Sequence, residues 1–253
     1  MTALAVTPVK GMRVRPVDAI ELGERGALGN RVFYLIDDRG RMVNGKTFKH
    51  LQTVVAGYNV DTQRLTLEFP GGGHAAAEVQ YGDSITTSFF HHPKEAREVR
   101  GPFNDALSTF FGRPLRLVGA PSAVDRGRHG SISVMSQASL RHLAGLAGCD
   151  GVDGRRFRML IEVDGIEAHE EDGWLGHRVR IGSAVVRPCG HVGRCVITTR
   201  DPDTAEGDLD TLKLLATYRH KINTTEPLAF GVYGEVLEGG PVRLGDPVTV
   251  DGR

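Results

Sequence analysis

Residues 193–204 read GRCVITTRDPDT, an arginine and a cysteine followed by an apolar pair, two threonines and an Asp-Pro turn. The chain has only three cysteines, and one stands directly after an arginine. Arg194 beside Cys195 favours the thiolate, the form that attacks an electrophile, ligates a soft metal or carries a persulfide. The competing reading is a thiol packed in a strand, the commonest state of a free cysteine. Just upstream, Cys189 and His191 could join Cys195 in holding a metal. A structural zinc site needs four ligands in close pairs, and neither His169 nor Cys149 forms such a pair. HEEDGW at 169–174 lacks the second histidine of a zinc-protease helix. A cysteine protease needs a histidine base in register, and nothing marks out one of the ten histidines. His91 and His92 read as loop residues.

Composition excludes more than it selects. Among 253 residues, 31 are Lys or Arg and 31 are Asp or Glu, so no charge excess points to nucleic acid or a membrane surface. No apolar run is long enough to span a bilayer, and MTALAVTPVKG lacks the pattern of a secretory signal. An odd number of cysteines is no disulfide framework and suits a reducing cytoplasm. The 33 glycines and 12 prolines favour turns over long helices.

Short apolar runs separated by turns fill the first half. VFYLIDDRGRMV (32–43) predicts a hairpin turning at Asp38–Gly40, and RLTLEFPGGGHAAAEVQYG (64–82) a second one broken at Pro70–Gly73. NDALSTFFG (104–112) predicts a helix that Asn104 could cap. The polar stretch VDRGRHGS (124–131) reads as a linker, giving domains 1–118 and 119–253. SISVMSQASLRHLAGLAG (131–148) then predicts a strand and a helix capped at or near Ser136. Strands follow at RFRMLIEVDG, HRVRIGSAVVRP and RCVITT, with a helix at LDTLKLLATYRHK (209–221) and closing strands to residue 250. The fold class is α+β but mostly β, a barrel with added helices behind a β-rich first domain.

Gly40-Arg41-Met42-Val43-Asn44-Gly45-Lys46-Thr47 satisfies the P-loop pattern, in which Lys46 would reach phosphates and Thr47 would hold magnesium. Asp38-Arg39-Gly40 is a good turn, however, so Arg41–Val43 reads as the return strand of a hairpin. MLIEVD is a poor partner strand for the magnesium-holding aspartate.

GRCVITTRDPDT, preceded by RFRMLIEVDG and EEDGWLGHRVRIG and followed by FGVYGEVLEGGPVRLGDPV, resembles the MOSC domain. That family includes the molybdenum cofactor sulfurases and the amidoxime-reducing components. TPVKGMRV and GNRVFYLIDDRGRM resemble the β-barrel domain that precedes MOSC, so the likeness covers nearly the whole chain. It implies a molybdenum cofactor (molybdopterin) and an oxidoreductase acting on N-oxygenated or similar small substrates, with a sulfur-transfer protein carrying a persulfide on Cys195 as the alternative. Cys195 matches the family cysteine, which ligates molybdenum or handles sulfur. Arg194, Lys10, Arg31 and Arg158 match cofactor-contacting positions, and Ser136 lies where a helix begins whose N-terminal amides can receive an anion. The family serine after PVK is Gly11 here, the aspartate before Arg31 is Asn30, and Pro-Asn after Phe-Arg is Met159-Leu160. Electrons or sulfur are expected from a separate donor, a redox protein or a cysteine desulfurase.

Overall fold

A computed structural model describes residues 1–124 and 126–252. Among these residues strands dominate, and three α-helices are present: α1 (Phe103–Phe111), α2 (Gln137–Ala147) and α3 (Thr211–Tyr218). No helix of the described residues is long and apolar enough to cross a membrane.

The largest sheet has eight strands, in the order Val248–Val250, Val179–Ile181, Ala184–Gly193, Ala229–Glu238, Ile132–Ser136, Ile161–Val163, Ala3–Val6 and Arg15–Val17. All neighbours run antiparallel except Ile132–Ser136 with Ile161–Val163, which are parallel and joined through α2. A parallel pair needs such a crossover, because a tight turn cannot reverse the chain twice. Leu4, Val134, Ile161, Trp174, Ile181 and Val232 are fully buried in the core of this sheet.

The second core is built from a five-stranded sheet, with Phe33–Ile36 between Arg116–Gly119 and Met42–Val43, and from the meander Val55–Asn59, Arg64–Glu68, His74–Glu78. Both expected hairpins form: Phe33–Ile36 pairs with Met42–Val43, and Arg64–Glu68 with His74–Glu78. Phe33, Leu51, Leu65, Phe103 and Leu117 fill this core. The first strand belongs to the eight-stranded sheet, yet Val9 and Met12, a few residues on, lie in the second core. The opening segment thereby stitches the two packing units together.

Several local expectations change. The first helix starts at Phe103 after Pro102, with no side-chain cap, and Asn104 instead accepts from the Leu117 backbone N–H. RCVITT is not a strand: the long strand ends at Gly193, and Val196–Thr199 form a 3₁₀ turn with Cys195 at its N-cap. RFRMLIEVDG supplies only the strand Ile161–Val163, its first residues forming the 3₁₀ turn Gly154–Phe157. Ser136 does cap α2, its Oγ accepting from Ser139 N.

Candidate active site

Where the two packing units meet, the chain encloses a cavity of about 380 Å³, within the ordinary size range of small-molecule sites. Cys195 lines it together with Lys10, Arg31, Arg158 and Arg194. Five of the six residues singled out in the sequence thus converge from segments as far apart as residues 10 and 195.

Each is placed by backbone geometry. Arg31 and Arg158 both sit in the left-handed region, at φ 51° and 56°, which costs a residue with a Cβ about 1–2 kcal/mol. Non-glycine residues held there cluster at functional sites, because only a well-determined surround sustains the strain. The surround is visible. Arg31 Nη2 donates to Arg158 O at 2.8 Å, and Arg158 Nη2 donates to Met12 O at 2.6 Å. Lys10 approaches the rings of Phe89 and Phe90, its Nζ 5.5 and 5.2 Å from their centroids. Phe90 lines the cavity from the tip of the hairpin Gln80–Phe89/His92–Arg100.

Arg194 is held by acceptors that carry no formal charge. It donates to Phe230 O at 2.9 Å through Nε, to Phe157 O at 2.9 Å through Nη1, and contacts Met159 Sδ at 2.9 Å through Nη2. Burial pulls its ionisation down to about 9; Arg126 and Arg31 push the same way, against Cys195 and Glu226. It remains a cation at neutral pH. Met159, where the family has proline, therefore supplies a soft contact to the arginine beside the cysteine.

The cysteine loop is clamped from outside. Arg200 donates to Gly45 O at 2.5 Å and to Lys46 O at 3.3 Å; Gln52 Nε2 donates to Asp201 O at 2.7 Å. Arg13 and Arg155 pair with Asp203 at 3.1 and 2.8 Å, and Arg156 pairs with Asp208 at 2.5 Å. The false P-loop explains part of this. Asn44 Oδ1 accepts from Lys46 N and Thr47 N in a tight turn after the hairpin strand. No helix follows, and the amide cradle a P-loop needs is not formed.

Ser136 is the exception among the matched residues. It is fully buried, does not line the cavity, and its backbone N–H donates to Glu171 Oε1 at 3.1 Å. The anion at this helix terminus is the protein's own carboxylate, which corrects the assignment of Ser136 to the cofactor. His191 also faces away, its Nδ1 accepting from Thr225 N at 3.1 Å. Cys189 groups with His129 and Glu235, ligand atoms lying within 4.8 Å of one another, but Glu235 is already held by Arg187. Cys149 is exposed at the end of α2. Cys189, His191 and Cys195 therefore do not converge on one metal.

Lys46, Arg126, Arg156 and Glu226 also line the cavity and were not singled out. The lining holds seven cationic residues and one carboxylate, Glu226, although the whole chain has 31 of each sign. The arrangement fits an anionic group with a soft-metal or sulfur partner: guanidinium and ammonium donors for phosphate, and a thiol for a soft centre.

Residues 121–249 match the family model for the MOSC domain, and residues 1–114 match that for the MOSC N-terminal beta barrel domain. The mitochondrial amidoxime-reducing component 1 of Xenopus laevis is 27% identical over 98% of this chain and 81% of its own length. The mitochondrial amidoxime reducing component 2 of Homo sapiens is 41% identical over 99 residues, covering 36% of this chain and 29% of its own. The YuaD protein of Bacillus subtilis has a solved structure with TM-score 0.45 at 12% identity, covering 98% of this chain and 94% of its own. The chain belongs to the MOSC family, with the MOSC N-terminal β-barrel domain preceding the MOSC domain.

Proposed function

We propose that the chain binds the molybdenum cofactor and reduces N-oxygenated or similar small substrates, as the names of its amidoxime-reducing relatives suggest. One observation carries the reading: Cys195 opens into a cavity whose lining holds seven cationic residues against one acid. When bound, the cofactor supplies a redox metal that accepts the oxygen of the substrate. Cys195 holds that metal by its thiolate. Lys10, Arg31, Arg158 and Arg194 hold the anionic and polar parts of the cofactor. Phe157, Met159, Val192 and Ile197 line the same cavity and keep water from it. A separate protein delivers the electrons.

The test is elemental analysis and intact mass on protein from a host that makes the cofactor. The expected result is about one molybdenum per chain, by one-cysteine ligation. Cys195→Ser loses it while keeping the fold, since replacing sulfur by oxygen leaves little cavity. Cys149→Ser retains the metal. A Cys195→Ser protein that keeps its molybdenum overturns the assignment. A metal-free protein with a sulfur-sized adduct on Cys195 replaces the reductase by a sulfur carrier.

A further inference from the structure

Glu226 is the only carboxylate in the cavity lining. It accepts from Gly193 N at 2.9 Å, two residues before Cys195. A side chain on Gly193 would bring a Cβ within 2.8 Å of Glu226 Oε2 and 3.0 Å of Pro227 O, so the absence of one lets the carboxylate approach the cysteine strand. The rest of the carboxylate is taken by Arg126. Arg126 donates from Nε to Oε1 at 2.9 Å and from Nη2 to Oε1 and Oε2 at 2.7 and 2.6 Å. The guanidinium also lies 4.4 Å from the centroid of the Tyr233 ring. Carboxylate and ring together therefore surround a planar cation with two kinds of attraction, the forked ion pair and the cation–π contact.

We infer that Glu226 and Tyr233 form a subsite for a planar amidine-type cation, which Arg126 occupies in the unliganded chain. This rests on the proposed reductase reading. Removing the oxygen from an amidoxime leaves an amidine, and an amidinium presents to a carboxylate the same flat pair of N–H donors as a guanidinium. The pair is reachable from solvent, with side-chain exposures of 29% for Arg126 and 30% for Glu226. Both residues line the cavity, so Arg126 can leave the carboxylate without leaving the site. Glu226 is then a specificity-determining residue: it selects substrates whose nitrogen group becomes a forked cation over N-oxides that become tertiary amines.

The full chain is titrated with benzamidine by calorimetry in phosphate buffer, so that the other cations of the lining have a counter-anion. Wild-type protein binds weakly, because Arg126 competes. Arg126→Ala and Arg126→Gln each bind at least about tenfold more tightly, the size of effect expected for one freed charged hydrogen-bonding partner. Adding Glu226→Gln to either abolishes the gain. Circular dichroism checks that each variant is folded. No gain in either Arg126 variant, or a gain that survives Glu226→Gln, overturns the subsite. The titration needs no molybdenum, so absence of the metal defeats the reductase reading without touching this result, and the converse also holds.

Discussion

The cavity and the polar cluster beneath α2 and α3 are both rich in charge, yet they solve opposite problems. Beneath the helices, Asp172 accepts from Arg219 Nη2 at 2.6 Å, and Arg219 Nε donates to Ala229 O at 2.9 Å. Glu171 accepts from Ser136 N at 3.1 Å and Ser139 Oγ at 3.4 Å. Burial, reinforced by Asp172, pushes the Glu171 carboxyl up to about 7, while its hydrogen bonds pull the other way. With a proton on Glu171, one cation faces one anion and the cluster is neutral within itself. The cavity lining has no such internal balance. Charge closed on itself holds a fold together; charge left open on a cavity wall waits for a ligand.

That contrast predicts where the largest loss of stability falls. Arg219 is 4% exposed, and its removal leaves Asp172 without its cation in a buried setting. Breaking one half of a buried pair costs about 3–5 kcal/mol. Arg219→Ala should lower the free energy of unfolding by that amount in urea denaturation. A change under about 1 kcal/mol would show that the cluster does not behave as a closed ion pair.

The same cluster sets a pH dependence. The folded-state value of Glu171 lies above its unfolded one, so between about pH 4.5 and 7 the folded state binds the extra proton. Stability is full below that window and falls as pH rises through it, by up to about 3 kcal/mol from this group. Glu162, also pushed up to about 7 by burial, adds a slope of the same sign. Glu171→Gln keeps an acceptor for Ser136 N and removes the titration. Denaturation midpoints at pH 5 and pH 8 should therefore differ less in Glu171→Gln than in the parent chain. An equal difference would place the titrating group elsewhere.

Legibility in the sequence followed the same division. The cysteine loop and the five matched residues at the cavity were found because each lies in a short stretch whose residue types carry their own chemistry. The β-rich architecture was legible because Phe33–Ile36 and Arg64–Glu68 alternate with turns that set their own hairpins. Ser136 was read as an anion site, and the helix start was right. Its anion is Glu171, 35 residues away, and no local pattern announces a contact across a 3₁₀ turn. Lys46 was noticed for the wrong chemistry; only the tie of Arg200 to Gly45 O and Lys46 O brings its loop to the cavity. Arg126 and Glu226 stand 100 residues apart and pair through tertiary packing alone. RCVITT, apolar and β-branched, has strand propensity, yet the chain turns at Cys195 because the Asp201–Asp208 segment is pulled towards Arg13, Arg155 and Arg156. Tertiary pairing overrides local preference there.

The smallest effect on stability, and the cleanest separation of folding from binding, lies at Arg158. Its αL backbone costs a non-glycine residue about 1–2 kcal/mol, a strain that glycine does not feel. Its side chain returns about 1 kcal/mol through the hydrogen bond from Nη2 to Met12 O. Arg158→Gly removes both, so the free energy of unfolding should move by no more than about 1 kcal/mol. The cavity wall meanwhile loses one cation. A hydrogen bond to a charged group contributes about 1.5–3 kcal/mol, so affinity for inorganic phosphate should fall about tenfold to a hundredfold in calorimetry. Arg219→Ala should show the inverse pattern, a large loss of stability with little change in phosphate affinity in the protein that stays folded. If Arg158→Gly unfolded the chain, the left-handed arginine would be a structural pin. If it left phosphate binding unchanged, the open charge of the cavity would not be what draws an anion there.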